Sequence, residues 1–203
     1  MNNDTIVAIS TAIGISAISI IRVSGANALK IAQQITKSSD IAPRYAHLKY
    51  LYDENGNAID RGIVIYFKSP HSFNGEDIVE FQCHGGIALQ KKIVALCKHF
   101  GAREARSGEF SKIALLNGKM DLSQLENIAN LINTQNESAL NLIAQNLKGD
   151  LQKIIDDFRE QLLAILAQSE ALIDYAQDEI PSDLSANLNA LESQLTAIYA
   201  HSK

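Results

Sequence analysis

Ile78-Val79-Glu80-Phe81-Gln82-Cys83-His84-Gly85-Gly86-Ile87 decides the architecture of the first part of this chain. Its β-branched and aromatic residues predict a strand from Ile78 to Cys83. A helix follows from Ile87 to Phe100 and ends at Gly101, which accepts the left-handed conformation that closes helices. The Gly85-Gly86 pair between them either permits a sharp strand-to-helix turn or exposes backbone N–H groups to an anion. Upstream, Thr5 to Ser10 and Ala17 to Ser24 read as strands, and Gly25 opens a helix with apolar positions at Ala28, Leu29, Ile31, Ala32 and Ile35. His47 to Tyr52 and Ile59 to Lys68 form a predicted hairpin, with Asn55-Gly56 supplying the residues a tight turn requires.

Downstream of about Gly118 the pattern changes. From Met120 to Ala176 there is no Pro, Gly149 is the sole Gly, and apolar residues recur at helical spacing: Leu122, Leu125, Ile128, Leu131, then Ile154, Phe158, Leu162, Ile165. Ser123 with Glu126 offers a capping box, and Asp121 is a second N-cap candidate, so the first of these helices begins close to Lys119. Pro181 interrupts the pattern, and a last helix covers Asp183 to Lys203. The fold class is therefore α+β: a mixed α/β domain over 1–118, then a helical bundle segment over 119–203. The last helix stops without a Gly or Pro terminator, which reads as the front portion of a larger protein.

At roughly 150 residues per domain, 203 residues allow one or two cores. A net charge of −5 argues against a broad basic surface for nucleic acid. No apolar run approaches the ~20 residues of a membrane helix. The Asn2-Asn3-Asp4 start is unlike a signal peptide, so the expected location is cytoplasmic, with Cys83 and Cys97 reduced. The spacing of Cys83, His84, Cys97 and His99 does not match a zinc knuckle, and no metal site is expected.

Some side chains are out of place for a simple core. Alternation puts Ile18, Ile20 and Arg22 on one strand face, and a guanidinium on an apolar surface needs an anion. That anion is either a structural partner or a ligand carboxylate or phosphate, for which the planar fork of Arg is suited. Glu80 falls between Ile78 and Gln82, opposite in facing to Val79, Phe81 and Cys83. It is either a solvated surface carboxylate or an acceptor for two parallel N–H bonds, such as those of a pterin or guanine edge. Glu76 and Asp77 look like turn or capping residues. Asn117-Gly118-Lys119-Met120-Asp121 imitates a guanine-reading Asn-Lys-x-Asp motif, but the inserted Gly breaks it, and Ile113 and Met120 exclude a phosphate loop there. Lys119 is then a loop cation close to a helix N-terminus, a placement that favours an anion nearby.

Thr11-Ala12-Ile13-Gly14, Ile20-Ile21-Arg22-Val23-Ser24-Gly25, Phe73-Asn74-Gly75-Glu76-Asp77 through Glu80 to His84-Gly85-Gly86, Gly108-Glu109-Phe110-Ser111 and Leu116-Asn117-Gly118-Lys119-Met120-Asp121-Leu122 occur in that order. Together they resemble the MnmE (TrmE) family of tRNA modification GTPases, and the helical remainder, including Ile173-Asp174-Tyr175, is similar to the first part of that family's helical domain. The resemblance implies an N-terminal domain like the folate-dependent aminomethyltransferases, which dimerises and binds 5-formyltetrahydrofolate or a related tetrahydrofolate. By motif position it implies folate-binding roles for Arg22, Glu80 and Lys119, and no catalytic residue in this chain. For the whole protein it implies modification of the tRNA wobble uridine with a flavoprotein partner, MnmG. GTP, Mg and K would enter only through a GTPase domain that this chain stops before. The chain departs from the family pattern at Ala12 and Ser16, where Pro and Gly are usual, at Ser107 for a Pro, and at Ile113 for a common Arg. The contrary expectation is a non-enzymatic dimerisation module in which the charged residues form only structural ion pairs.

With neither a phosphate loop nor an intact guanine-reading motif, the chain is expected not to hydrolyse GTP or bind it tightly. A phosphate-release assay on the 203-residue chain checks this, and measurable turnover would contradict it.

Overall fold

In the computed structural model the described residues are 4–137, 140, 143, 150–174 and 182–201. They fall into two compact units, Met1–Met120 and Asp121–Lys203. The first contains strands β1 (Thr5–Ile9), β2 (Ser16–Ser24), β3 (His47–Tyr52), β4 (Ala58–Phe67), β5 (Ile78–Gly85) and β6 (Ala102–Glu104), with helices α1 (Ala28–Thr36), α2 (Ile87–His99) and α3 (Glu109–Leu116). The second contains α4 (Leu122–Asn133), α5 (Asp150–Asp174) and α6 (Ser182–His201). Pro181 and Tyr175 lie outside the described residues.

The strands form one six-stranded sheet in the order β3-β4-β5-β2-β1-β6. All neighbours are antiparallel except β1 and β6, which run parallel. Alternation along each strand divides the residues between two faces. Val7, Ile21, Val23, Val64, Tyr66, Val79, Phe81 and Cys83 point to the face where Ala28, Ile31, Ala32 and Ile35 of α1 and Ile93, Leu96 and Cys97 of α2 complete a buried core. Burial pushes the thiols of Cys83 and Cys97 up to about 11 and about 12, so both are inert free cysteines. Arg22 and Glu80 belong to the other face, which is only partly covered.

The turn chemistry matches the structure at two points. Gly56 has φ +90 in the β3–β4 hairpin, and Gly101 has φ +104 after α2. Gly85 has a different role from the anion-binding one considered from sequence. A β-carbon there would overlap the side chain and carbonyl of Ser16, so the glycine is what allows β2 and β5 to pair this closely. Two elements were not legible in the pattern. Strand β6 is only three residues long and exists because Thr5, Ile6 and Val7 pair with it. Helix α3 is a short segment in which Ala114 alone is buried.

In the second unit, α4 begins at Leu122 with Asp121 as its cap. Its carboxylate accepts the Gln124 N–H at 2.7 Å, and the Gln124 side chain returns a bond to the Asp121 N–H. The capping box is thus Asp121 with Gln124, two positions before the Ser123–Glu126 alternative. Helices α5 and α6 pack through Ile165, Leu184 and Leu191, with Phe158 beside them. Most of the remaining stripe, including Leu162, Leu166, Leu188 and Leu195, is exposed. Among the described residues no helix is long and apolar enough to cross a membrane.

Helix α3 is anchored at its start by Glu109, whose carboxylate takes Arg103 in two bonds of 2.9 and 2.6 Å and the Arg106 N–H at 2.8 Å. The Arg103 guanidinium, then the Arg106 N–H, hold the Glu109 carboxyl down to about 2 from an ordinary 4.5. A folded-state pKa below the unfolded one contributes stability that is complete above 4.5 and lost as pH falls through about 2. Urea midpoints measured through that window should drop in the parent chain and drop less in Glu109→Gln. Equal slopes in the two proteins would contradict this anchoring role.

Candidate functional site

Arg22 and Glu80 face each other across the β2–β5 ladder. The sequence singled them out separately, and the fold makes them partners: Arg22 Nε and Nη2 donate to Glu80 Oε1 at 2.9 and 2.7 Å. Their side chains are 26% and 12% exposed. Directly opposed ionic residues on one sheet face are a favourable cross-strand pair. Both Arg22 bonds end on one carboxylate oxygen, and Glu80 Oε2 accepts none among the described residues. The guanidinium carbon of Arg22 also lies 5.3 Å from the Phe73 ring centre and 5.8 Å from that of Phe110. These cation–π contacts hold the guanidinium beside a carboxylate that keeps an open oxygen.

The 69–77 loop lies over this end of the sheet because its polar groups are tied down. Ser24, two positions along β2 from Arg22, donates its hydroxyl to Glu76 Oε2 at 2.8 Å and accepts the Asn74 side-chain amide at 2.8 Å. Asn74 is fully buried, and its Oδ1 accepts the Glu76 N–H at 3.1 Å. Asp77 accepts the Ser69 N–H at 2.8 Å and bonds the Tyr66 hydroxyl, which burial and then this carboxylate push up to about 12. Glu76 and Asp77 are therefore loop-fastening residues, as their position before the strand suggested.

Lys119 sits at the far side of the same loop. Its stem crosses Gly75, where a β-carbon would come within 2.9 Å of Lys119 Cε and 3.4 Å of Cγ. Gly75 has φ +83, so a side chain at this position is excluded both by backbone conformation and by space. Among the described residues Lys119 makes no ion pair, in contrast to Arg22 and Glu80. Lys119 thus lies against the same loop whose Phe73 lies against Arg22, the partner of Glu80. The fold adds Phe73 and Phe110, residues of two of the ordered motifs to which the sequence alone assigns no role. The signal was available: an Arg on an apolar face calls for aromatic rings as well as an anion.

His84 is drawn away from this cluster. Its Nδ1 meets Asp60 Oδ1 at 2.7 Å and its main-chain N–H donates to Asp60 Oδ2 at 3.0 Å. Burial of Asp60 opposes its ionisation, but the His84 bonds outweigh that and hold the carboxyl below its ordinary value. Gly86 is the N-cap of α2 without a side-chain cap.

A cavity of about 520 Å³ is lined by Ile6, Glu76, Arg103, Arg106, Lys112, Ile113 and Asn117 among others. Ile113, where the family commonly has an Arg, contributes an apolar wall there.

Residues 5–119 match the family model described as GTP-binding protein TrmE N-terminus, and residues 122–203 match the MnmE helical domain. The chain is 50% identical over 197 residues to the tRNA modification GTPase MnmE of Helicobacter pylori (strain ATCC 700392 / 26695), covering 96% of this chain and 42% of that protein. It is 51% identical over 182 residues to the MnmE of Aliarcobacter butzleri (strain RM4018), covering 90% of this chain and 41% of the relative. With that of Sulfurimonas denitrificans (strain ATCC 33889 / DSM 1251) it shares 48% over 195 residues, 96% of this chain and 44% of the relative. The chain thus spans less than half the length of these curated relatives. Matched in order by both models along nearly its whole length, the chain belongs to the MnmE (TrmE) family.

Proposed function

We propose that the first unit, a domain of the folate-dependent aminomethyltransferase kind, binds a reduced folate such as 5-formyltetrahydrofolate through Arg22, Glu80 and Lys119. The observation that carries this reading is the half-committed carboxylate of Glu80. One oxygen is saturated by Arg22, and the other is free to accept an N–H from a pterin edge. The residues suit such a ligand in charge as well. Glu80 takes the donor edge of the heterocycle, Phe73 and Phe110 offer apolar faces beside it, and the cations of Arg22 and Lys119 suit carbonyl and carboxylate groups. When bound, the folate supplies a one-carbon unit, and the chain's own residues orient it.

The whole protein then takes part in GTP-dependent modification of the wobble uridine of tRNA in the cytoplasm, with the flavoprotein MnmG as partner. Relatives named tRNA modification GTPases support this. GTP, Mg and K belong to a GTPase domain outside this chain. The first unit also forms a homodimer. Its open sheet face carries exposed Ile18, Leu48 and Tyr50, an apolar surface unusual for a solvated strand face. The competing reading, a scaffold whose charges are only structural, draws on the Arg22–Glu80 pair but leaves Lys119 without a role.

Calorimetric titration with 5-formyltetrahydrofolate tests the folate reading: saturable binding supports it, and none at millimolar ligand overturns it. Glu80→Gln exchanges an acceptor for a donor facing ligand N–H groups, so affinity should fall at least about tenfold while the fold survives. A destabilised Glu80→Gln protein that binds folate normally would show that Glu80 is structural only. For the dimer, light scattering after gel filtration should give twice the chain mass, and Ile18→Asp should shift it to monomer. A parent chain that runs as a monomer at high micromolar concentration would refute the dimer.

A further inference from the structure

The Asn117-Gly118-Lys119 segment that imitates a nucleotide motif has a different function in the fold. Gly118 N–H bonds the Leu115 carbonyl at 3.0 Å and Lys119 N–H bonds the Ala114 carbonyl at 2.8 Å. With Gly118 at φ +63, this is a Schellman closure of α3, and the glycine that breaks the guanine motif is the left-handed residue ending the helix. The closure fixes the backbone of Lys119. Asn117, the last residue before the turn, sends its side-chain Nδ2 across to the main-chain carbonyl of Asn74 at 2.8 Å. Asn74 is fully buried, and its own amide holds Ser24 and Glu76. Gly75, the next residue, is the surface on which the Lys119 stem lies.

We infer that Asn117 is a positioning residue of the ligand site: it clamps the end of α3 to the 69–77 loop and so holds the Lys119 cation on the same ligand as Arg22 and Glu80. The inference rests on the folate reading and adds a residue to it. The chain of contacts is continuous. Asn117 fixes the Asn74 carbonyl, Asn74 fixes Ser24 and Glu76, Gly75 carries the Lys119 stem, and Phe73 of the same loop lies against Arg22. Without the Asn117 amide, the Asn74 carbonyl loses its partner, and no other hydrogen bond among the described residues joins this loop to the end of α3. Lys119 then keeps its backbone, set by the Schellman bonds, but not the surface its stem rests on. Asn117 is itself exposed, so its replacement removes the clamp without opening the core.

The test compares the 203-residue chain with Asn117→Asp, Asn117→Ala, Lys119→Met and the Asn117→Ala/Lys119→Met double variant. Asn117→Asp keeps the shape and removes the donor. Titrated with 5-formyltetrahydrofolate, each Asn117 variant should bind about five- to tenfold more weakly, and the double variant no more weakly than Lys119→Met, since residues acting through one another are not additive. A second readout needs no folate. Acetylation of the Lys119 amine by acetic anhydride, followed by mass spectrometry in the ligand-free proteins, should change at least about twofold in the Asn117 variants relative to the remaining lysines, with the melting temperature little altered. Parent-like affinity in the Asn117 variants, or additive losses in the double variant, overturns the positioning role. A parent chain that binds no folate while Lys119 labelling still responds overturns the folate reading instead, and leaves the clamp as a structural one.

Discussion

A guanidinium on the face of a β-sheet must meet an anion or stay in water, and the β2–β5 register satisfies Arg22 with Glu80. The requirement runs both ways, since a carboxylate only 12% exposed is costly without a cation. A one-residue slip in this ladder would move Arg22 into the core and carry Ile21 and Val23 out of it. The same pairing depends on Gly85, because any β-carbon there would push Ser16 and the start of β2 away. Core packing and site geometry are thus set by a single strand alignment.

What surrounds the pair is built from the loop and helix at one end of the sheet. The 69–77 loop has few apolar residues to bury, and polar bonds fasten it: Ser24 to Glu76, Asn74 to Ser24, and Asp77 to Ser69 and Tyr66. Helix α3 is too short to be stable by propensity, and its ends are fixed instead. Glu109 with Arg103 secures the start, and the Gly118 turn closes the finish. Phe110 on that helix and Phe73 on the loop approach Arg22 from separate parts of the chain. The surroundings of Arg22 and Glu80 therefore depend on the supporting loop and helix as well as on the charged residues themselves.

Both units expose large apolar side chains. In the first, Ile18, Leu48 and Tyr50 mark the open sheet face, which fits the proposed homodimer. In the second, Ile165, Leu184 and Leu191 pack together while Leu162, Leu166, Leu188 and Leu195 remain exposed along α5 and α6. The chain spans less than half the length of the relatives it matches.

Strands β1 to β5, helices α1 and α2, the hairpin at Asn55-Gly56 and the helical character after Gly118 are legible along the chain, because alternation, helical spacing and glycine conformations are local properties. It also marked Arg22 and Glu80 as charges out of place, since a charge beside core residues on one strand face is visible from alternation alone. That the two are each other's partners emerges from the folded sheet alone, since facing within a strand says nothing about which strand lies next to it. Strand β6 and helix α3 were hidden for the same reason: β6 takes its form from β1, and α3 from an ion pair at one end and a glycine turn at the other. The meaning of Asn117-Gly118-Lys119 turned on this difference too: the glycine that interrupts a motif on paper ends α3 through the Leu115 and Ala114 carbonyls, and Asn117 reaches the loop at Asn74 only because the fold lays that loop beside the helix end.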